Sequence, residues 1–511
     1  MPRDKTTVIR DFKGLDERLE LGSAPNITSS LDNVIVRRGT VKGRKGLSLW
    51  DGISTAASAT IIGLADFYAP TAATSSLLRM LTTKLEKWNS GTHVWDDVTG
   101  VALNGTTNDR PVFVTDSPNG FLTFINEGHD RPRKYTGSGN SVVLGGTPPF
   151  AKSLEVWQGF TFLGNISQDG TFSTSVDALT IEFSDLPDTS WDLCEANTLI
   201  MSESPGEIRS LIGYGQNLIV FKSDCIVQVR YVQGPVRFAR QLLPFSLGLL
   251  ASMSAKRCGE FGVIFLATDR NLYRTDGYRI EPLPLNIQKA LQETMTAAKA
   301  PFVSAYVDVT HETYNLLYQR NSSTYFDGRL SYNYRTGEFY RAAYTGFEFT
   351  RALAYRQSNN TDSQLVVGAS DNKVYEQENG TDDAGTAVSR VYDYDWHQLG
   401  TPGSKYFTGA NLVFTRALNC QVRISVAADH INKFQYPRTY NLKGKFPGDD
   451  NSRVAYEIPS PIYGSWFKIR IEMLQFSGSS QVELLEFEPK IIPIHEAPQD
   501  VVKPTGNNPR S

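Results

Sequence analysis

Cysteine and histidine are scarce in this chain. Four cysteines occur among 511 residues, at positions 194, 225, 258 and 420, and none belongs to a CxxC pair. This spacing excludes a zinc ribbon, and isolated thiols of this kind are typical of buried core residues. The six histidines are equally scattered, at 93, 129, 311, 397, 430 and 495. The sequence therefore predicts no metal site, and it predicts synthesis in a reducing cytoplasm.

Long apolar runs are also missing. No stretch approaches about 18 consecutive apolar residues, so we expect no membrane-spanning helix. The start of the chain contains Arg3, Asp4 and Lys5 without an apolar core, which is not the pattern of a secretory signal. The formal net charge is −3, from 51 Lys and Arg against 54 Asp and Glu. Proteins that hold DNA through its phosphates usually carry a basic surplus, so this balance argues against tight DNA binding but is compatible with DNA passing by.

Familiar catalytic motifs are absent from the sequence. It contains no HExxH, GxSxG or P-loop pattern. Ser167, Asp169 and Phe172 come close to a sialidase Asp-box, but Gly170 stands one residue too early and the pattern occurs once. The sequence therefore predicts no catalytic or cofactor-binding residue, no bound cofactor, and a protein that is not an enzyme. Glycoside cleavage needs only two carboxylates, so a glycan-cleaving enzyme stays open as an alternative.

Short strands separated by tight turns dominate the sequence that is present. Between residues 205 and 284, residues 218–222 and 226–231 flank one turn, and residues 263–267 and 272–274 flank another. Runs of β-branched and aromatic residues broken by Gly, Asn and Asp are typical of hairpins. Similar units recur about every 40–55 residues from 56 to 385, the spacing of four-stranded propeller blades. The sequence therefore predicts an all-β fold with a β-propeller of about six blades.

The regions that flank the propeller have different patterns. Residues 386–492 alternate like half-buried strands and predict a separate β-sandwich-like domain. Residues 493–511 contain few apolar residues and predict a flexible tail. Residues 1–55 form an N-terminal connecting segment, which we expect to close the propeller or to contact a partner protein.

A basic stretch stands out in the N-terminal segment. Its charged members are Arg37, Arg38, Lys42, Arg44 and Lys45, interrupted by glycines. One interpretation is a hairpin whose charges are solvated. The other is an anchor that binds an acidic partner or DNA. Both interpretations fit the sequence.

The order of these features resembles one protein family. The resembling patches are Phe12 to Leu15, Asp32 to Val34, the basic stretch, Phe183 to Asp185 with Trp191, residues 218–231, the block from Gly248 to Gly277, residues 308–334, Leu399 with Lys405, and residues 467–470. Together they resemble the β-propeller tail nozzle or hub proteins of short-tailed bacteriophages, the tail tubular protein B class. The resemblance covers most of residues 10–480.

The resemblance implies a structural role in a virion. Members of this class assemble as a ring of about six copies below the portal and the adaptor, with heterologous contacts that close the ring. The lumen is the channel for DNA ejection, and the outside carries fibre or spike proteins. The five basic residues are then candidates for contacting the adaptor or a neighbouring subunit.

One alternative belongs to a different functional class. A propeller can also act as a receptor-binding, lectin-like protein that recognises host surface sugars. Trp88, Trp95 and Trp191 would then provide stacking platforms.

Overall fold

The computed structural model of the chain describes most of the sequence. The described residues are 8–10, 12–16, 28, 31–52, 55–69, 74–116, 120–172, 176–184, 197–232, 237–284, 291–292, 295–296, 298–320, 323–356, 363–399, 403–415, 420–431, 433–442, 451–475 and 482–493. Asp185 and Trp191 of the resembling patches and residues 494–511 of the expected tail lie outside them.

Four short strands open the described chain. They are β1 (Leu31–Asp32), β2 (Val34–Arg37), β3 (Thr40–Gly43) and β4 (Gly46–Leu49). In β2 the side chains of Val34 and Val36 are buried, whereas Ile35 and Arg37 are half-buried. This period of two is that of a strand with one face against a core.

Seven four-stranded antiparallel sheets follow within the described residues, and we number them as blades 1 to 7. Blade 1 contains β5 (Ile61–Ala69), β6 (Thr74–Leu81), β7 (Leu85–Asn89) and β8 (Val94–Asp97). Blade 2 contains β9 (Val112–Asp116), β10 (Phe121–Ile125), β11 (Arg133–Tyr135) and β12 (Val142–Val143). Blade 3 contains β13 (Phe150–Trp157), β14 (Phe160–Ser167), β15 (Thr180–Phe183) and β16 (Thr198–Ile200).

The next two blades correspond to the stretch whose hairpins were predicted from residues 205–284. Blade 4 contains β17 (Ile208–Tyr214), β18 (Asn217–Lys222), β19 (Ile226–Tyr231) and β20 (Phe238–Leu242). Blade 5 contains β21 (Lys256–Arg257), β22 (Val263–Leu266), β23 (Leu272–Thr275) and β24 (Ile280–Pro282). Residues in β18 and β22 are buried throughout, as expected for strands in the middle of a packed blade.

The last two blades complete the ring. Blade 6 contains β25 (Ser304–Asp308), β26 (Thr313–Tyr318), β27 (Gly328–Asn333) and β28 (Phe339–Ala343). Blade 7 contains β29 (Phe349–Tyr355), β30 (Gln364–Ala369) and β31 (Val374–Gly380), and its outermost strand is β4 from the N-terminal segment. The first strands of successive blades contact one another in order, and β29 of blade 7 contacts β5 of blade 1.

The predicted all-β propeller fold is confirmed, and the described blades number seven where the sequence suggested about six. The difference has a physical reason. Blade 7 draws only three strands from its own stretch of sequence and takes the fourth from residues more than 300 positions earlier. The local sequence therefore shows only three of its four strands.

The C-terminal region forms two five-stranded sheets. Its strands are β32 (Arg390–His397), β33 (Lys405–Thr415), β34 (Cys420–Ala428), β35 (Gln435–Leu442), β36 (Asn451–Gly464), β37 (Phe467–Gln475) and β38 (Glu483–Pro493). One sheet has the order β1-β32-β37-β34-β35 and the other β2-β3-β38-β33-β36. The sandwich thus includes three strands from residues 31–43, which belong to the segment before the propeller.

One apolar cluster connects the sandwich to blades 5 and 6. Phe12 and Leu15 are fully buried in it, together with Tyr392 of the sandwich and Phe339 of blade 6. The Phe12 ring meets the Tyr392 ring edge-on at 5.8 Å, and the backbone N–H of Leu15 donates to the carbonyl of Phe339 at 2.9 Å. Gly14 lies so close that an added Cβ would stand 2.4 Å from the Phe339 oxygen. The N-terminal residues therefore join the two parts of the molecule.

None of the helices in the described part of the chain is long and apolar enough to span a membrane. Cys225, Cys258 and Cys420 are buried free thiols, while Cys194 lies outside the described residues.

Candidate functional site

The basic stretch begins on a tight hairpin. Strands β2 and β3 pair through Arg37 and Thr40, and the two residues between them, Arg38 and Gly39, have φ values of 50° and 77°. Positive φ at both central positions is the geometry of a type I′ turn. Arg38 is exposed at this turn. It is available to a partner.

Arg44 has a different environment and requires a correction. Its side chain is 1 % exposed and forms a bidentate ion pair with Asp383, with N···O distances of 2.8 and 2.5 Å. It also donates to the side-chain oxygen of Asn33 at 2.7 Å and lies 4.2 Å over the Tyr344 ring. A residue enclosed in this way cannot contact an adaptor or a neighbouring subunit. The prediction that Arg44 is a contact residue is therefore wrong.

Asn33 completes this buried group of polar residues. It has a φ of 57°, and its side-chain oxygen accepts from the backbone N–H of Ala343 at 2.9 Å. Its amide donates to the carbonyl of Ser389 at 2.7 Å. The group thus ties the N-terminal segment to blade 6, to Asp383 after blade 7 and to the start of the sandwich.

The other three basic residues, Arg37, Lys42 and Lys45, line one cavity of about 240 Å³, which we call the junction cavity. Blades 6 and 7 complete it with Asp308, His311, Arg329, Glu378 and neighbouring polar residues. The structure therefore brings three of the five predicted residues together, at the place where the hairpin meets the propeller.

The carboxylates of the junction cavity already have partners. Asp308 lies 2.5 Å from His311 Nδ1 and accepts from the Ser363 hydroxyl at 2.7 Å. Burial alone would raise the pKa of Asp308, but the hydrogen bonds from His311 and Ser363 outweigh it and hold the pKa below its ordinary value. Glu378 pairs with Arg329 at 2.9 Å and accepts from the backbone N–H of Lys45 at 2.8 Å.

A second and larger cavity of about 690 Å³ runs between the first strands of all seven blades, and we call it the channel. Its charged lining residues are Asp66, Glu155, Lys256, Arg257 and Arg351. Glu155 of blade 3 is buried, pairs with Arg257 of blade 5 at 2.6 Å, and accepts from the backbone N–H of Gly213 in blade 4 at 3.1 Å. This ion pair therefore joins three consecutive blades.

The remaining charges of the channel are perturbed by burial. Desolvation lowers the pKa of Lys256 to about 8, an effect that the charge of Arg351 increases and that of Glu155 opposes. Burial also lowers the pKa of Arg351 to about 10 and raises that of Asp66 to about 6. Perturbed ionisable groups in a cleft mark a candidate functional site.

The channel residues were not predicted from the sequence. The available signal was a charged residue inside an apolar strand, as at Leu154, Glu155 and Val156. A single sequence does not show which inner strands meet, so five charges from four blades could not be grouped.

The residues singled out for sugar chemistry have local structural roles. Ser167 Oγ donates to Asp169 at 3.0 Å, and Asp169 accepts from the backbone N–H of Thr171 at 2.8 Å, which makes a self-contained turn. Trp88 is buried, and Trp95 packs against it beneath the guanidinium of Arg79. The described residues contain no group of three or more His, Cys, Asp or Glu suited to a metal ion.

No family model matches the chain, and no curated protein sequence matches it. Among solved structures, streptogramin B lyase is similar with a TM-score of 0.40 and 8 % identity, over 64 % of this chain and 96 % of that chain. The exo-beta-1,3-galactanase of Phanerochaete chrysosporium gives a TM-score of 0.26 and 9 % identity, over 86 % of this chain and 100 % of that chain.

A third similar structure is PorZ of Porphyromonas gingivalis, a surface component of the type-IX secretion system. The match has a TM-score of 0.36 and 8 % identity over 63 % of this chain, and it spans 37 % of the PorZ chain. At these identities the similarities concern the fold alone.

The structural matches overturn one prediction. The sequence predicted that the chain is not an enzyme, and this prediction is wrong in the light of the lyase and the galactanase, which are enzymes among the similar structures. It rested on missing motifs, and missing motifs do not exclude catalysis in a propeller.

Proposed function

We propose that the chain is a ring-forming component of a short-tailed bacteriophage tail, below the portal and adaptor, which forms or gates the DNA exit channel and carries fibre or spike proteins. The observation that carries the proposal is the order of the sequence resemblances along residues 10–480. The described patches lie on separate elements, including β18 with β19, β22, β25 to β27 and β37. Shared order across separate elements is stronger support than any one hairpin.

The strands that the N-terminal segment supplies to the sandwich and to blade 7 support this role. Residues 31–43 supply strands to both sandwich sheets, and the next strand, β4, completes blade 7. Propeller and sandwich are therefore held by shared strands as well as by side-chain packing. A conduit for DNA under pressure requires a stiff subunit, and closed sheets leave few free edges.

An exposed aromatic patch on the sandwich supports assembly. Tyr406 and Tyr463 are paired with ring centroids 5.7 Å apart, and the adjacent Trp466 contacts His430 at 5.6 Å. Tyr463 is 56 % exposed and Ile431 beside His430 is 65 % exposed. Interface centres are enriched in Tyr and Trp. We assign this patch to the contact with a neighbouring copy, because a closed ring needs two complementary faces on each subunit.

Electron microscopy and native mass spectrometry of the purified chain test the proposal. We expect rings of about six copies. The double variant Ile431→Ser with Tyr463→Ser should dissociate them, because it removes the apolar centre of the assigned contact. The double variant Val101→Ser with Val309→Ser changes exposed apolar residues elsewhere and should leave the rings intact.

Other results of this experiment would identify a different role. A wild-type chain that stays monomeric and binds sugars on a glycan array would overturn the proposal in favour of the lectin-like alternative. Rings that persist in the patch variant would show that this patch is not the contact between neighbouring copies.

The hairpin turn provides a second test of the same proposal. Arg37→Glu with Arg38→Glu should reduce attachment of the subunit to DNA-filled heads while leaving it folded. Arg335→Glu is the matched control, since Arg335 is 74 % exposed in blade 6. Tail assembly that is unchanged in the hairpin variant would show that this turn does not contact the adaptor.

A further inference from the structure

The channel has the dimensions of a small-molecule site. Its volume of about 690 Å³ lies within the range of about 300–1,000 Å³ that is typical of ligand pockets. Apolar residues such as Val112, Leu154 and Leu353 form much of its wall, and Ser210, Ser252 and Ser304 add hydroxyl groups. Polar and apolar groups make up the wall in about equal shares, so the channel can contact both the charged end and the apolar body of a small organic molecule.

The acidic residues of the channel accept hydrogen bonds from other groups of the protein. The carboxylate of Glu155 accepts from Arg257 and from the backbone N–H groups of Gly213 and Val156. Asp66 accepts from the backbone N–H of Arg356 at 3.2 Å. Glu155 is therefore bound through both oxygens, whereas Oδ1 of Asp66 is buried and has no hydrogen-bond partner among the described residues.

Two positive charges of the channel form no ion pair with a carboxylate of the described residues. Lys256 forms no ion pair within the described part of the chain. Arg351 donates to the carbonyl oxygens of Thr350 at 2.6 Å and Asp109 at 2.5 Å, but its buried Nε finds no acceptor among the described residues. Both side chains are half-buried, and because removing a charge from water is unfavourable unless it is paired, an anion in the channel would stabilise them.

The two cations also act on one another. The charge of Arg351 lowers the pKa of Lys256, so the two groups lie within electrostatic range across blade 6. An anion placed between them would relieve this repulsion and would be held by charge-assisted hydrogen bonds.

We propose that the channel binds a small organic anion, a carboxylate or phosphate ester with an apolar body, whose charged end lies between Lys256 and Arg351. The apolar part of the wall contacts the body of the ligand, and the two cations fix its orientation. This binding activity does not depend on the tail role, because the channel lies within one subunit.

Calorimetric titration of the full chain with benzoate and phenyl phosphate tests the proposal, with benzamide as the uncharged control. We expect a dissociation constant below about 10 mM for an anionic probe and no binding of benzamide. Lys256→Gln and Arg351→Gln should each weaken binding by about tenfold or more, which corresponds to about 1.4 kcal/mol. Lys256→Arg keeps the charge and should bind normally, and Lys433→Gln on the exposed surface of the sandwich is the matched control.

A measurement on the wild-type chain locates the probe without relying on the stability of the variants. Lysines can be labelled by ¹³C-methylation, and the Lys256 signal is then identified by its disappearance in Lys256→Arg. The proposal predicts that this signal shifts during the titration while that of Lys433 does not. The proposal would be overturned if neither anionic probe bound, or if Lys256→Gln and Arg351→Gln both bound the probe as tightly as the wild type.

Discussion

Arg44 and Arg38 belong to the same basic stretch, yet the fold gives them opposite environments. Arg38 is exposed at the turn between β2 and β3, whereas Arg44 is 1 % exposed and paired with Asp383. The sequence could predict the hairpin, because alternation and Gly39 are local signals. It could not predict the environment of Arg44, because the partner carboxylate lies 339 positions away.

Replacing Arg44 should therefore destabilise the fold. Arg44→Ala leaves the buried carboxylate of Asp383 unpaired, and we expect a loss of about 3–5 kcal/mol in the free energy of unfolding. Arg38→Ala is the control and should change it by less than about 0.5 kcal/mol. Urea unfolding followed by tryptophan fluorescence measures both. Equal stability of the two variants would contradict a structural role for Arg44.

Asp66 in the channel gives a prediction about pH. Burial raises its pKa from 3.8 to about 6. Between these two values the folded state binds a proton that the unfolded state lacks, so the contribution of Asp66 to stability falls as the pH rises through this window. Asp66→Asn cannot ionise, and it should be more stable than the wild type at pH 7.5 by an amount on the order of 1 kcal/mol, allowing for solvent screening.

The measurement is the urea midpoint at two pH values. The advantage of Asp66→Asn should shrink when the pH is lowered to about 4.5, because both proteins then carry a neutral side chain in the folded state. Asp96→Asn changes an exposed carboxylate in the same blade and serves as the control. A variant that is less stable than the wild type at pH 7.5 would show that the charged form of Asp66 is stabilising.

At the scale of elements, local sequence predicted strands well and predicted their partners only within hairpins. The pairing of β18 with β19 follows from a short turn and two apolar runs. The pairing of β4 with β31, and of β3 with β38, joins distant parts of the chain. Such pairings depend on which blade lacks a strand and which sheet has an open edge. The local sequence pattern shows neither property. The blade number and the channel were missed for the same reason.

The closing strand depends on a close backbone approach at Gly46. An added Cβ there would stand 1.9 Å from the backbone oxygen of Asp382, and the facing residue in β31 is Gly380. Gly46→Ala should push β4 away and reduce the free energy of unfolding by about 1–3 kcal/mol. Gly145→Ala is the control, because no atom lies within 4 Å of its added Cβ. Thermal unfolding of the two variants distinguishes them, and equal midpoints would argue against tight closure at this strand.

At the scale of the whole molecule, the N-terminal segment links two bodies that the sequence suggested were separate. Residues 31–43 complete the sandwich, and β4 completes blade 7. The boundary at residue 55 therefore separates strands from the sheets to which they belong. The two bodies should lose stability in a defined order when the segment is shortened from its N-terminal end.

Two deletions test this order by hydrogen exchange and mass spectrometry. Removing residues 1–43 takes β1, β2 and β3 from the sandwich but leaves β4, so amides in β33 should exchange at least about tenfold faster while those in β30 and β31 remain protected. Removing residues 1–49 also takes β4 away, and β30 and β31 should then lose protection because β31 becomes an open edge. Peptides from β18 and β19 in blade 4 are the internal reference. Equal protection of β31 in the two deletions would mean that the ring is held closed by contacts between β29 and β5 and does not need the N-terminal strand.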